Sequence, residues 1–400
     1  MKKITFYYDI VCPYAYIASQ RIEAVAARCG ATVDWQPVLL GGIYKSIESD
    51  QVPSESWSAP KVRLGALDMI RQASFHGVSL NIPAAHPRRT VSAMRLLVGV
   101  SGALRRQLSH ALYRAYWVDG ADIARRDVLD AIARANGVDP AIIDSPQARA
   151  ALFETTEAAV AAGAFGVPAM VVDDVMFWGQ DRLLFVEHAL TGRGPSGLSP
   201  TESGKSIRFF HDFSSPFSYL ASTQIEAVAA RQGASVEWCP ILLGGLFRSI
   251  GTPDVPMLEM SAVKQAYIHS DMRAWAKWWG VPFSFPSTFP IRGVLPLRVA
   301  IAEPAATPHI YRALWVEDRN IGDPEVLAAV LSSAGLDAEK LLKAATDPVI
   351  KGQLRSNTEE AQATGACGVP TFLVDGNLIW GQDRLDLLES FLAGTWSFPA

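Results

Sequence analysis

The spacing of apolar residues changes along the chain in a fixed order. "KITFYYD" near the start is a short apolar run of strand type. Pro13 then opens a helix in which Ile17, Ile22, Val25 and Ala26 recur at helical spacing, and Gly30 stands where a helix C-cap is expected. "ATVDWQPV" predicts a second strand, and the section from Pro60 to Gly163 is helical in pattern. "VPAMVVDD" and "VMFWG" predict a hairpin across Asp173 and Asp174, and "QDRLLFVEHAL" closes the order as a helix. An order βαβ, helical insert, ββα implies a mixed sheet covered by helices.

The order occurs twice. "FYYDIVCPYAYIASQRIEAVAARCGATVDWQPVLLGGIYKSI" from Phe6 and "FFHDFSSPFSYLASTQIEAVAARQGASVEWCPILLGGLFRSI" from Phe209 are identical at more than half their positions without a gap. Further on Lys61 pairs with Lys264, Asp68 with Asp271, Pro87 with Pro290 and Arg95 with Arg298. "YRAYWVDG" at Tyr113 pairs with "YRALWVED" at Tyr311, and "GAFGVPAMVVDDVMFWGQDRL" at Gly163 with "GACGVPTFLVDGNLIWGQDRL" at Gly365. A unit this long is a whole domain and not a solenoid module. The expected division is a first domain over 1–192, a linker over 193–205 and a second domain over 206–400. "TGRGPSGLSPTESGKS" from Thr191 is rich in Gly, Ser and Pro and reads as flexible.

Composition narrows the class. The chain of 400 residues is 49% hydrophobic and 19% charged, a globular balance. Net charge is −4 and no basic run marks a nucleic-acid or anionic-membrane surface. No apolar run reaches spanning length, and Asp9 interrupts the run after Met1-Lys2-Lys3, against a signal peptide. The cysteines are Cys12, Cys29, Cys239 and Cys367, with no C-x-x-C pair and no metal-ligand spacing. A reduced, cytoplasmic protein without structural disulfides or metal is expected.

"DFSSPFSYLA", "PILLGGLF", "GVPTFLVDG" and "WGQDRLDLLE" in this order resemble the 2-hydroxychromene-2-carboxylate isomerase family, which is related to kappa-class glutathione transferases and to DsbA-type oxidoreductases. The resemblance covers nearly all of both halves. It implies an α/β protein of two thioredoxin-like domains, each with a helical insertion. It also implies glutathione as co-substrate and a small aromatic substrate, 2-hydroxychromene-2-carboxylate interconverting with trans-o-hydroxybenzylidenepyruvate. Val167-Pro168 and Val369-Pro370 match the Val–cis-Pro loop whose backbone pairs with the cysteinyl part of glutathione. Gln180-Asp181 and Gln382-Asp383 match the pair that holds its γ-glutamyl end; Asp181 and Asp383 also suit a helix cap. Relatives work as homodimers, so the tandem halves suggest an intramolecular pseudo-dimer, with homo-oligomers of the whole chain left open.

The two repeats differ at the central position. Ser215-Pro216 is an N-cap with proline at the first helical place. Its hydroxyl can donate to a sulfur. A helix end contributes about 0.3–1 kcal/mol to a nearby anion and a hydrogen bond to a charged group about 1.5–3 kcal/mol. Together these lower a thiol pKa to about 5.5–7.5. Cys12 takes the equivalent place, and the same acidification is expected of its thiol. Ala15 stands where a resolving cysteine would be, so local disulfide exchange is not available.

Other positions depart from the family pattern. Glu48-Ser49 and Gly251-Thr252 replace a Gly-Asn pair, and Arg89 and Arg292 replace an Asn near the substrate. The arginines suit a substrate carboxylate; Lys61 and Lys264 suit an anionic ligand or bulk solvent. Trp275, Trp278 and Trp279 fit a helix face in a core, and Cys367 reads as structural. Three functions follow: a glutathione-dependent isomerase centred on Ser215, a thiol–disulfide oxidoreductase or glutathione transferase using Cys12, and a binding scaffold with degenerate sites.

Overall fold

The computed structural model describes residues 2–399. Each repeat builds one four-stranded sheet. In the first, β1 (Lys2–Tyr8) pairs parallel with β2 (Ala31–Pro37) and antiparallel with β3 (Ala169–Val172), and β3 pairs antiparallel with β4 (Val175–Trp178), giving the order β2-β1-β3-β4. The second repeats this as β6-β5-β7-β8, from β5 (Ser206–His211), β6 (Ser235–Pro240), β7 (Thr371–Val374) and β8 (Asn377–Trp380). The alternation at β1 buries Ile4, Phe6 and Tyr8 on one face, where Phe6 and Tyr8 stack and Trp35 meets both edge-on. The hairpins turn where expected: Asp173 and Asp174 take φ of 46° and 63°, Asp375 and Gly376 take 46° and 75°, as a two-residue turn between twisted strands requires.

The helix expected from Pro13 is two helices, Pro13–Ser19 and Ile22–Arg28. The second repeat breaks at the same place, between Pro216–Ser222 and Ile225–Arg231. At each break a serine hydroxyl bonds the carbonyl three residues back, Ser19 to Tyr16 at 2.6 Å and Ser222 to Tyr219 at 2.7 Å, in competition with the helical ladder.

The chain divides into two compact units that do not follow the repeat boundary. The first holds residues up to Pro53, Met69–Gly194 and Ser261–Lys264; the second holds Ser54–Asp68, Pro195–Met260 and everything from Gln265. In the second unit Leu64 is buried in a cluster with Cys367 and Leu378, and Arg384 grips Asp68 through Nε at 2.6 Å and Nη2 at 2.9 Å. Arg63 lies over Gly365, which ends the helix Pro348–Thr364 at φ +94°, a backbone conformation that favours glycine. The expected domain edges at 192 and 206 follow the repeat, while in the compact units residues 54–68 pack with the second repeat and 261–264 with the first.

The linker is also less free than its composition suggests. Thr201, Ser203 and Gly204 donate backbone hydrogen bonds to Arg231, Gln232 and Gly233 at 2.8–3.1 Å, and the Leu198 amide reaches Glu389 at 3.4 Å. Among the described residues no helix is long and apolar enough to cross a membrane.

Candidate active site

In each repeat the site starts at the loop leaving the central strand. The buried carboxylate of Asp9 accepts from the Val11 amide at 3.2 Å and the Leu40 amide at 2.9 Å; Asp212 accepts from Ser214 at 2.9 Å and Leu243 at 2.8 Å. Burial pushes both carboxyls up, and these hydrogen bonds oppose the rise. From the helical insert, Trp117 donates to the Ile10 carbonyl and Trp315 to the Phe213 carbonyl, each at 2.8 Å. Tyr113 and Tyr311 donate to the Asp9 and Asp212 carbonyls at 3.3 and 3.4 Å. Sequence reading passed over these four aromatics and took Asp9 only as a break in an apolar run. The signal was present in the repeated "YRA-x-WV".

These contacts aim Cys12 and Ser215 at the proline loops. Val167–Pro168 and Val369–Pro370 are both cis. Cys12 Sγ donates to the Val167 carbonyl at 3.1 Å, and Ser215 Oγ to the Val369 carbonyl at 3.2 Å. Ser215 Oγ also accepts from the Ser218 amide at 3.2 Å, the expected N-cap.

The expected acidity of Cys12 is not found. Burial pushes its thiol up to about 12, against hydrogen bonds from Ala15 and Tyr14 that pull it down, with Asp9 adding to the rise. The helix behind it has only seven residues, so its end is weak, and desolvation of a thiolate outweighs it.

The γ-glutamyl positions differ between repeats. Gln180 is buried and already engaged: its amide donates to Gln72 Oε1 at 2.7 Å, and Arg21 bonds both its side-chain oxygen and, at 3.1 Å, its carbonyl. That clamp contradicts a free ligand-holding role for Gln180. In the second repeat Trp275 and Gln224 stand at the places of Gln72 and Arg21, and Gln382 is buried without the clamp. Asp181 and Asp383 lie in the 3-10 turns Gln180–Arg182 and Gln382–Arg384 and cap no helix; the closing helices have no side-chain cap. Each instead pairs with the next arginine, Asp181 with Arg182 at 3.0 Å and Asp383 with Arg384 at 3.4 Å.

The lysines fall in unexpected units. Lys61, from the first repeat's sequence, belongs to the unit of Ser215: it lies 4.4 Å from the Trp57 ring, and desolvation lowers its pKa while Cys367 opposes that. Lys264 belongs to the unit of Cys12, 5.7 Å from the Trp178 ring. Burial pushes the Cys367 thiol up to about 12, with Lys61 pulling it down. Arg89 and Arg292 are exposed, one residue before Thr90 and Gly293. Thr90 bonds the Asp9 carboxyl, and Gly293 packs near Asp212, so both arginines border the site loops. Trp275 is buried and meets Trp279 with ring centroids 4.8 Å apart and planes tilted by 40°, in agreement with a core role.

A mixed sheet with a serine or cysteine facing a cis-proline carbonyl, under a helical insert, defines a thioredoxin-like protein of DsbA type. The chain belongs to the DSBA-like thioredoxin domain family, whose pattern matches residues 3–191 and again 206–393. It is 30% identical over 198 residues to a 2-hydroxychromene-2-carboxylate isomerase of Sphingobium xenophagum, covering 47% of this chain and 98% of that protein. It is 26% identical over 215 residues to glutathione S-transferase kappa 2 of Caenorhabditis elegans, covering 49% of this chain and 95% of that one. A solved 2-hydroxychromene-2-carboxylate isomerase structure aligns with a TM-score of 0.41 at 25% identity, over 47% of this chain and 94% of that chain. Each relative spans about half of this chain, as a tandem duplication requires.

Proposed function

We propose that the chain is a glutathione-dependent isomerase of the 2-hydroxychromene-2-carboxylate type and that the second repeat carries the reaction. The observation behind this reading is the Ser215 hydroxyl, which is buried, capped by the Ser218 amide and turned onto the Val369 carbonyl. A rotation about its C–O bond swings that donor from the carbonyl to a neighbouring sulfur. The cap bond holds the oxygen meanwhile, so only the proton turns. Glutathione, when bound, supplies a thiolate that adds to the conjugated double bond of the substrate and leaves again, with no net redox change.

The residues around Ser215 fit such a peptide. Val369 offers backbone groups for strand-like pairing. Gln382 and Asp383 offer an amide and a carboxylate for the charged end, without the clamp that holds Gln180. Lys61 brings a cation into the same unit, and Arg292 borders the loop with a donor fork for a carboxylate. In the first repeat Val167, Pro168 and Asp181 keep the outline of the site, but Cys12 is too basic to be thiolate at neutral pH. Oxidoreductase chemistry at Cys12 is disfavoured by that burial and by Ala15. The reduced thiols suit a cytoplasmic setting, and the duplicated family fold suits an intramolecular pseudo-dimer acting on a small aromatic substrate.

Calorimetry with glutathione and a spectroscopic assay of the interconversion test the reading. Binding with turnover that Ser215→Ala lowers more than affinity supports it. Absence of both overturns it.

A further inference from the structure

The second repeat contains a buried polar chain that the first lacks. His211 ends β5 in a surround of Phe209, Phe213 and Trp238. Its Nδ1 lies 2.9 Å from the Tyr311 hydroxyl, and its Nε2 has no hydrogen-bond partner. The Tyr311 hydroxyl also meets the Asp212 carbonyl at 3.4 Å and faces the Ser218 hydroxyl. Ser218 Oγ is fully buried and makes no hydrogen bond of ordinary geometry. Residues three apart in a helical turn share a face, with Cβ atoms about 5–6 Å apart. The Ser218 hydroxyl is therefore a neighbour of Ser215, whose oxygen its amide already holds at 3.2 Å.

The first repeat has a different solution at each place. Ala15 replaces Ser218 and Tyr8 replaces His211; Tyr8 bonds Ser109 at 2.6 Å and is satisfied without reaching the loop. A buried hydroxyl without a partner is disfavoured, and the first repeat shows that alanine fits. The second repeat thus places a buried hydroxyl where packing requires none, next to the Ser215 oxygen and facing Tyr311.

We propose that Ser218 is a second hydrogen-bond donor to a sulfur held at Ser215, and that Tyr311 and His211 are positioning residues that aim it. The second repeat then offers two hydroxyls to a thiolate where the first offers one buried thiol. The identity of the sulfur as that of glutathione rests on the function proposed above. The direction of the chain is taken from His211, whose Nδ1 meets Tyr311 while its Nε2 has no partner, so that the proton on Nδ1 is the one that makes a hydrogen bond. Burial pushes its pKa down to about 3, so the ring is neutral at physiological pH. With the proton on Nδ1 it donates to the Tyr311 oxygen, and the bare Nε2 sits among aromatic rings. Tyr311 then turns its single hydrogen from the Asp212 carbonyl, 3.4 Å away, to Ser218 Oγ, which leaves the Ser218 hydrogen for the sulfur. The charged and titratable groups around this turn are His211 at the end of β5, Asp212 in the loop after it, Tyr311 from the helix Thr307–Trp315, Tyr219 from Pro216–Ser222, and Asp383 and Arg384 from the 3-10 turn that packs on it.

The test uses the full chain carrying Ser215→Cys, whose thiol is a built-in reporter. Its pKa is read from thiolate absorbance and from the pH dependence of alkylation at that cysteine by mass spectrometry. Adding Ser218→Ala or Tyr311→Phe is expected to raise it by about half a unit or more; Ser222→Ala, in the same helix, is the control and is expected to leave it in place. In the Ser215 protein, Ser218→Ala is expected to weaken glutathione binding at least fivefold. A lowered melting temperature with an unmoved thiol pKa would mean that the chain only supports packing, and overturns the proposal. A moved pKa without glutathione binding to the unmutated protein overturns the glutathione reading and supports the two-hydroxyl cradle.

Discussion

Ser215 Oγ and the Val369 carbonyl stand 3.2 Å apart, across 154 residues of sequence, in the same relation as Cys12 Sγ and the Val167 carbonyl at 3.1 Å. One geometry serves a hydroxyl in one repeat and a thiol in the other, so substitutions at the two places separate chemistry from position. Ser215→Ala is expected to reduce isomerase turnover by at least tenfold with a smaller change in glutathione affinity, since it removes one hydrogen bond to a charged group, worth about 1.5–3 kcal/mol. Cys12→Ser is expected to leave turnover within twofold. Steady-state rates and calorimetry on both variants check this.

The thiols give a second expectation. All four cysteines are free, and burial raises the pKa of each; Cys12, Cys239 and Cys367 are buried and Cys29 is partly exposed. Iodoacetamide applied to the folded protein at neutral pH should label Cys29 first and Cys12 slowly. Peptide mapping by mass spectrometry after timed quenching measures the order. Rapid labelling of Cys12 would restore the oxidoreductase reading.

Gln180 and Gln382 should respond differently to the same change. Gln180→Ala removes the partner of both Gln72 and Arg21 and leaves buried polar groups unpaired, a loss of about 1–3 kcal/mol in stability with little effect on glutathione binding. Gln382→Ala should weaken glutathione binding several-fold with a smaller effect on melting. Thermal denaturation and calorimetry on the pair check the contrast.

The Arg384–Asp68 pair is mostly buried, with side-chain exposures of 11% and 23%. Asp68→Ala removes both of its hydrogen bonds to the guanidinium and should destabilise the second unit by about 1–3 kcal/mol. Denaturant unfolding measures it, and Asp68→Glu should recover part of the loss.

Acid should act through His211. Its pKa is pushed down to about 3 in the folded chain against an ordinary value of 6.5, so between those values the unfolded chain holds the extra proton. Stability is then complete above about pH 6.5 and falls as pH drops toward 3. Asp9 and Asp212, with raised pKa values, act in the opposite sense over the acid range. His211→Tyr, the residue of the first repeat, should flatten the fall. Melting temperatures of both proteins from pH 7 to pH 4 check it.

The repeat, the order of elements along the chain, the hairpins and the Val-Pro loops were legible in the sequence because each is written in contiguous residues. Turn residues at 173–174 and 375–376 set the hairpins locally. The clamp on Gln180 was not legible, since Gln72 lies 108 residues away and nothing in "RQAS" marks it. The acidity expected of Cys12 failed for a related reason: helix capping is a local property, whereas burial is set by the whole fold. Lys61 was read with the repeat that encodes it, and the contacts that place it with Ser215 come from the second repeat.

The exchanged segments bear on how this chain can change over time. A mutation among residues 54–68 is written in the first repeat and felt in the unit of Ser215, while one among 261–264 does the reverse. After the duplication, each half became part of the other's inheritance. The Ser215 unit is therefore completed by a stretch that the Cys12 half encodes, so the second repeat cut out alone would lack residues of its own unit.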